Sequence, residues 1–202
     1  MTRSNIPAGR RHVLKCAILA VLSNISMVLS TSGEDIEVEY MSISDGLAAT
    51  EVRDVLQDQY GLLWIATING LQRYDGYRFT TYRNNPTDSS SIAENETWGL
   101  LEDSNGAIWI GGETGISRFD RKTGAFKNYD LSKQSGAYGL EATIVFNIFE
   151  DSRQRLWAMN FTNGLLFYDP ESDMWKETTL DDRENGASGA GYVLIMVEDS
   201  QG

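Results

Sequence analysis

The chain has 202 residues, of which 41% are hydrophobic and 10% aromatic, a composition that can build a packed core and excludes a disordered chain. Its formal net charge is −12, with 29 acidic against 17 basic residues. An acidic surface repels phosphate backbones and anionic lipid headgroups, so the composition argues against nucleic acid as a partner.

The first predicted element is a secretory signal peptide over residues 1–32. This segment contains four basic residues and no acidic ones, and its basic start is followed by a mostly apolar run from Cys16 to Ser30. The run is too short to cross a hydrocarbon core of roughly 30 Å comfortably, and small residues follow it. We predict that the chain is exported and cleaved between Ser30 and Gly33. Retention of the segment as an N-terminal anchor is the open alternative.

The only cysteine, Cys16, and the only histidine, His12, both lie inside the predicted signal peptide. The mature chain would then hold no disulfide, no zinc site of the Cys/His kind and no nucleophile activated by histidine. We accordingly predict that this chain has no metal, no cofactor and no catalytic residue of its own.

The remainder of the sequence repeats itself with a period of 45 to 48 residues. In each of three units a tryptophan follows an aspartate by six positions, a glycine follows the tryptophan by six or seven, and a second aspartate follows the glycine by five. A period of this length with several short strands is typical of a β-propeller. The residues are Asp58, Trp64, Gly70 and Asp75, then Asp103, Trp109, Gly115 and Asp120, then Asp151, Trp157, Gly164 and Asp169, with Asp199 starting a fourth unit.

Each unit is predicted to form four strands. In the first unit these are approximately Glu51–Gln57, Leu62–Thr67, Gly70–Tyr74 and Tyr77–Arg83, and the pattern restarts at Thr97, Thr143 and Tyr192. The second strand is apolar on both faces, which suits a sheet covered on both sides by neighbours. We therefore expect the tryptophans to fill interfaces between blades, the glycines to allow tight turns or close backbone approach, and the first aspartate to cap backbone N–H groups.

The predicted fold class is all-β, with propeller blades of four antiparallel strands in an incomplete ring. The blades cover roughly residues 41–90, 91–135 and 136–182, and residues 183–202 begin another, so that residues 33–202 form a partial propeller. Three blades and one strand cannot close a ring of four to eight blades. We interpret the chain as a fragment of a longer gene product, complete at its start and cut at its end. A short protein that closes by oligomerising, for example as a homodimer, is the alternative.

Two segments carry a specific family resemblance: "SDGLAATEVRDVLQDQYGLLWIATINGLQRYDGYRFTTY" and "SSSIAENETWGLLEDSNGAIWIGGETGISRFDRKTGAFKNY". They resemble two-component regulator propeller repeats, which form the exported sensor region of hybrid two-component histidine kinases. Gly112 replaces the usual threonine, and Ala158 and Met159 replace a usual small turn. The resemblance implies a periplasmic ligand-sensing propeller whose full-length protein is anchored in the inner membrane, with further propeller and a membrane-spanning kinase region as its partners.

The loops that lead into the first strands, and the turns between second and third strands, differ between the units. Variable loops on a fixed scaffold are the usual seat of recognition. We therefore predict ligand-binding positions at Asn95, Glu113, Tyr138 and Asn163. Tyr138 has no counterpart in the other units, and aromatic faces stack on sugar rings, the ligand class that the resemblance suggests. Open alternatives are that Tyr138 packs beneath its own loop, and that the propeller is a protein-binding scaffold or a glycosidase or lyase.

Overall fold

A computed structural model describes residues 40–132, 144–160 and 164–177, all within the unit Tyr40–Gly202. These residues form one short 3-10 helix, Ile43–Asp45, and β-strands in the following order: β1 Val52–Gln57, β2 Leu63–Thr67, β3 Gly70–Tyr74, β4 Phe79–Tyr82, β5 Thr97–Glu102, β6 Ile108–Gly112, β7 Gly115–Phe119, β8 Phe126–Asp130, β9 Val145–Glu150, β10 Leu156–Asn160, β11 Gly164–Asp169 and β12 Met174–Glu177. None of the helical residues described is part of a segment long and apolar enough to cross a bilayer.

The strands form three antiparallel sheets of four strands, β1–β4, β5–β8 and β9–β12, in which each strand pairs with the next one in sequence. The predicted fold class is therefore confirmed: the described chain is all-β, and its sheets do not close into a ring. The fourth strand of the first sheet begins at Phe79 rather than at the predicted Tyr77. The reason is that the Oδ1 atom of Asp75 accepts hydrogen bonds from the backbone N–H groups of Tyr77 and Arg78, which holds both residues in the turn.

Several predictions from the sequence fall outside the described residues. They are the signal peptide over residues 1–32, the restart of the strand pattern at Thr143 and Tyr192, and the beginning of another blade over residues 183–202. The third sheet, β9–β12, forms despite the departures at Ala158 and Met159, and both residues are buried within β10.

The sheets stack through the tryptophans of their second strands. Trp64 of the first sheet is fully buried and packs with Ile108 and Phe119 of the second sheet. Trp109 of the second sheet packs in the same way with Ile148 of the third. The first strands lie side by side, with β5 contacting both β1 and β9. The second strand of the middle sheet, β6, is consequently covered on both faces, which is why it carries apolar residues at successive positions.

The turn between the first and second strand is built around one aspartate in every sheet. The Oδ1 atom of Asp58 accepts hydrogen bonds from the backbone N–H groups of Tyr60 and Leu62, and its Oδ2 atom accepts one from the Nε1 atom of Trp64 at 2.8 Å. The corresponding three bonds recur around Asp103 and Asp151. A carboxylate can accept hydrogen bonds from two backbone N–H groups and from the indole only when the tryptophan follows the aspartate by six residues. This geometry accounts for the interval seen in every unit.

In the first two sheets the glycine after the tryptophan starts the third strand where two backbones come close. A Cβ atom at Gly115 would lie 2.1 Å from the carbonyl oxygen of Tyr129 on β8. At Gly70 a Cβ atom would lie 2.7 Å from the carbonyl oxygen of Tyr82, and φ is +113°. The third strands of these two sheets therefore require glycine at the first residue for close packing against the fourth, and at Gly70 for the backbone conformation as well. In the third sheet a Cβ atom at Gly164 would meet no described atom within 4 Å, and glycine is favoured there by its φ of +75°.

Candidate ligand-binding site

One face of the stacked sheets carries the beginnings of the first strands and the turns between second and third strands; we call it the mouth face. Asn95 and Glu113, two of the predicted ligand-binding residues, are both exposed on this face. The other two predicted residues, Tyr138 and Asn163, lie outside the described residues. The structure thus places half of the predicted set on one surface.

The loop that leads into the second sheet is held to this face by Glu94. Its carboxylate accepts hydrogen bonds from the backbone N–H groups of Glu113 and Thr114 at 2.7 Å each, and from the hydroxyl of Thr114 at 2.6 Å. The neighbouring Asn95 accepts from the backbone of Asn84 through Oδ1 and from the backbone of Gly70 through its carbonyl. The loop that brings Asn95 and Glu113 together is therefore fixed by hydrogen bonds of Glu94 and Asn95 within the protein.

Each first strand contains an irregularity where it begins at the mouth face. In β1 the pairing with β2 runs from Val52 directly to Asp54, which leaves Arg53 out of the register. In β5 the pairing passes over Trp98 together with Gly99, and in β9 it passes over Phe146. All three residues stand five positions before the aspartate of their unit. Irregularities of this kind redirect a side chain out of the sheet and occur often beside functional sites.

The redirected residues of the first two sheets contact each other. The guanidinium of Arg53 lies 3.5 Å from the centre of the Trp98 ring, close enough for a cation–π interaction. The Nη2 atom of Arg53 donates to Glu96 at 2.8 Å, and its Nε atom lies 2.7 Å from the carboxylate of Glu51 without the alignment of a hydrogen bond. We call Glu51, Arg53, Glu96 and Trp98 the Arg53 cluster.

The Arg53 cluster combines groups that can contact a polar ligand. Glu51 and Glu96 keep 56% and 39% of their side chains exposed, so each offers carboxylate oxygens to solvent beyond those paired with Arg53. The indole Nε1 atom of Trp98 is buried and has no hydrogen-bond partner among the described residues. A buried donor without an acceptor is costly, and a bound hydroxyl or water would satisfy it.

The residues of this cluster were missed by the sequence analysis, although a signal for them existed. Three positions before the unit aspartate, the first strands carry Val55, Leu100 and Ile148, which are all aliphatic. Five positions before it they carry an arginine, a tryptophan and a phenylalanine. The residue type at this position differs from unit to unit, while the rest of the strand keeps its pattern. Such variation indicates a role in function rather than in the fold.

Acidic residues are frequent in the chain, but they do not gather into a site for a metal ion. Among the residues that the structure describes, no group of three or more aspartate, glutamate, histidine or cysteine side chains has the arrangement of ligands around a cation. The carboxylates of the mouth face are instead bound to backbone N–H groups and to Arg53.

Three stacked sheets of four antiparallel strands, each locked by one aspartate–tryptophan hydrogen bond, define a repeat protein of the β-propeller class. The sequence model of the family described as two component regulator propeller matches residues 46–69 and 91–114. Two segments of the chain therefore match the two-component regulator propeller repeat, and the resemblance seen in the sequence is confirmed.

Comparison with individual proteins gives the same result. Over 49 residues the chain is 51% identical to histidine kinase P4 of Formosa agariphila; the match covers 24% of this chain and 4% of that protein. Its fold is similar to the extracellular domain assigned to a hybrid two-component system of B. thetaiotaomicron, at 25% identity and a TM-score of 0.59, over 70% of this chain and 20% of that one. A virginiamycin B lyase of Staphylococcus aureus shares the fold at 19% identity and a TM-score of 0.50, over 67% of this chain and 43% of that one.

Proposed function

We propose that the chain is part of the extracytoplasmic sensing region of a two-component system, and that it binds a ligand at the mouth face. The observation that supports this most is the position five residues before each unit aspartate, where Arg53, Trp98 and Phe146 leave the strand register at the mouth face. The chain spans 20% of the similar extracellular domain, so the signalling output belongs to parts of the protein beyond this chain.

The ligand that the Arg53 cluster suits is a neutral molecule with several hydroxyl groups, such as an oligosaccharide. Glu51 and Glu96 accept hydrogen bonds from hydroxyl groups, and the indole N–H of Trp98 donates one. An anionic ligand would be repelled by these carboxylates. Asn95 and Glu113 flank the same face, and Tyr138 and Asn163 remain predicted contacts on it.

The chain acts in this proposal by binding and not by catalysis. The aspartates that recur in the repeats are engaged with backbone N–H groups and tryptophan, which leaves their carboxylates structural. The likeness to a lyase is one of fold, and none of the Arg53 cluster residues is a histidine. A bound ligand would join the first two sheets across Arg53 and Trp98 and so change how rigidly they stack.

Calorimetry on the whole chain with a panel of neutral oligosaccharides tests the proposal. We expect at least one oligosaccharide to bind, and Arg53→Gln to weaken its binding by about tenfold or more, because the variant removes the cation that holds Glu51, Glu96 and Trp98 in place. Joint alanine substitution of Asn95, Glu113, Tyr138 and Asn163 should weaken it as well. Tyr77→Ala serves as the control, because that side chain is 95% exposed in the turn before β4, on the opposite face.

Equal affinity of the wild type and of both mouth-face variants, with the fold intact, would move the ligand elsewhere on the protein. Binding of a protein partner with no response to any oligosaccharide would favour the scaffold alternative. Export is tested separately by fusing residues 1–40 to a reporter enzyme that is active only outside the cytoplasm. We expect activity that disappears when the apolar run of residues 16–30 is deleted.

A further inference from the structure

A cleft of about 860 Å³ lies on the face opposite the mouth, among the turns that follow the first strands. Turns from all three sheets contribute to its walls, including Tyr60 from the first, Asn105 from the second and Arg153 from the third. Its volume falls within the range of roughly 300 to 1,000 Å³ that is usual for small-molecule sites. None of the residues of the Arg53 cluster lines it.

The charge of this cleft differs from that of the protein as a whole. Five of the 17 basic residues line it, namely Arg118, Arg121, Lys122, Arg153 and Arg155, while the chain carries a net charge of −12. Three acidic residues also line it, so the lining holds five basic against three acidic side chains. These carboxylates accept hydrogen bonds from neutral groups: Asp103 from its turn and from Trp109, Glu150 from Ser104, and Asp120 from the backbone N–H of Lys122.

The five cations fall into two groups. Arg121 and Arg155 have structural partners: Arg121 donates to Asp58 and Glu102, and Arg155 donates to Asp151. The second group is Arg118, Lys122 and Arg153, with which no carboxylate of the described residues forms an ion pair. Lys122 and Arg153 are exposed, and Arg118 stacks on Trp109. Unpaired cations from two neighbouring sheets thus border one concave surface.

We propose that this cleft binds a small molecule with two or more anionic groups, such as carboxylates or sulfates. A single anion could bind one cation, but Lys122 belongs to the second sheet and Arg153 to the third, so a multivalent ligand would engage both at once. This site is separate from the mouth face in position and opposite to it in charge preference.

The probes for this proposal are citrate, digalacturonate and the uncharged digalactoside of the same linkage, each titrated into the whole chain by calorimetry. We expect citrate or digalacturonate to bind and the uncharged sugar not to bind. Whichever of the two anions binds more tightly identifies the ligand as a free polycarboxylate or as an acidic sugar. Affinity should also fall as salt is added, because the contacts are between exposed charges.

Two double variants locate the binding. Lys122→Gln with Arg153→Gln removes two unpaired cations of the cleft and should lower the affinity by about tenfold or more. Arg73→Gln with Arg78→Gln is the matched control: it removes the same charge from the first sheet, outside the cleft, and should change affinity by less than about twofold. A pair of single variants provides a second comparison. Arg118 lies 5.5 Å from the ring centre of Trp109, and Arg73 lies 5.8 Å from that of Trp64, so the two arginines have similar surroundings. Arg118→Gln should weaken binding and Arg73→Gln should not, because only Arg118 lines the cleft.

Three results would overturn the proposal. The first is that neither anion binds at about 10 mM, a concentration at which even weak specific sites fill. The second is an equal loss of affinity in the two double variants, which would indicate a general charge effect. The third is full affinity in the Lys122 and Arg153 double variant. Because both of these side chains are exposed and unpaired, their replacement leaves the fold unchanged, and circular dichroism verifies this.

Discussion

The Oδ2 atom of Asp58 accepts two hydrogen bonds of 2.8 Å, one from the indole of Trp64 in its own sheet and one from the guanidinium of Arg121 in the next sheet. The side chain of Asp58 is completely buried. A single carboxylate oxygen therefore joins a turn, the core of one sheet and the neighbouring sheet. The bonds to the turn and to the tryptophan recur at Asp103 and Asp151, so the repeated aspartate is a structural group, and the bond to the next sheet is an addition seen at Asp58.

Replacing Asp58 by asparagine should destabilise the chain by about 2 to 4 kcal/mol, because an amide nitrogen in place of Oδ2 leaves the buried Trp64 and Arg121 donors without an acceptor. Urea unfolding followed by tryptophan fluorescence measures the loss. Asp75→Asn is the control, since Asp75 accepts only from its own exposed turn and from Arg78. A loss of stability for Asp58→Asn no larger than for Asp75→Asn would show that the buried junction contributes little.

The acid sensitivity of the fold should depend on the same carboxylate. Burial alone would raise the pKa of Asp58, but the hydrogen bonds from Trp64, Arg121 and the turn outweigh it and hold the pKa below its usual value. A group whose pKa is lower in the folded state stabilises the fold above its unfolded pKa of about 3.9, and this stability is lost as the pH falls through the folded pKa.

We therefore expect the free energy of unfolding of the wild type to decline below about pH 4.5. The decline should be shallower in Asp58→Asn, since that variant lacks one of the carboxylates responsible. Asp151 has a lowered pKa of the same origin, so some pH dependence should remain in the variant. Chemical unfolding at pH 6, 4 and 3 tests this expectation, and identical pH profiles for the two proteins would contradict it.

The repeat spacing predicted most of the fold, because the aspartate of each unit bonds to the turn and to the tryptophan of the same unit. The position of Tyr60 and Leu62 relative to Asp58 is fixed by a few bonds of local chain, and such relations can be predicted from spacing. The role of Arg121 could not be predicted, since its partner Asp58 lies 63 positions earlier and the contact exists only after two sheets have stacked. The irregularity at Arg53 could not be predicted either. The sequence of a strand predicts which side chains alternate between the two faces, but not the residue at which the pairing with the next strand shifts.

Trp109→Ala should destabilise the chain by roughly 3 to 5 kcal/mol, as truncation of a large buried aromatic does. Trp109 is 1% exposed and packs against Tyr129, Tyr168 and Trp175, so the change opens a cavity between the second and third sheets. Trp157→Ala is the comparison, because Trp157 is only partly buried and should cost less. Thermal unfolding measures both, and equal losses would mean that stacking between sheets does not set the cost.

Two adjacent glycines in β6 should respond differently to alanine. A Cβ atom at Gly111 would lie 2.1 Å from the carbonyl oxygen of Val145 on β9, so the third sheet would have to move. At Gly112 the nearest atom would be a carboxylate oxygen of Glu94 at 3.1 Å, and a shift of that side chain by a few tenths of an ångström relieves the contact without breaking its hydrogen bonds. We expect Gly111→Ala to cost about 3 kcal/mol or more, as overpacking against backbone does, and Gly112→Ala less than about 1 kcal/mol. Similar melting temperatures for the two variants would contradict this close approach of sheets.

Glu94→Ala should loosen the mouth face without unfolding the sheets. Its carboxylate accepts from the N–H groups of Glu113 and Thr114 and from the hydroxyl of Thr114, so these bonds hold the turn and not the strand pairing. Without it, the amide hydrogens of residues 113 and 114 should exchange about tenfold or more faster, since each charge-assisted bond to a carboxylate contributes about 1.5 to 3 kcal/mol to local closure. Protection within β6 and β7 should remain.

Hydrogen exchange measured by mass spectrometry resolves the two regions. Glu51→Ala is the matched control, because it also removes a partly exposed carboxylate of the mouth face but one that pairs with Arg53 instead of the turn. If exchange at residues 113 and 114 stays at the wild-type rate in Glu94→Ala, the turn is rigid by its own backbone bonds. If protection is lost in β6 as well, the loop of residues 83–96 is part of the cooperative core. Only selective loss at the turn is consistent with Glu94 as the group that positions Asn95 and Glu113 for a ligand.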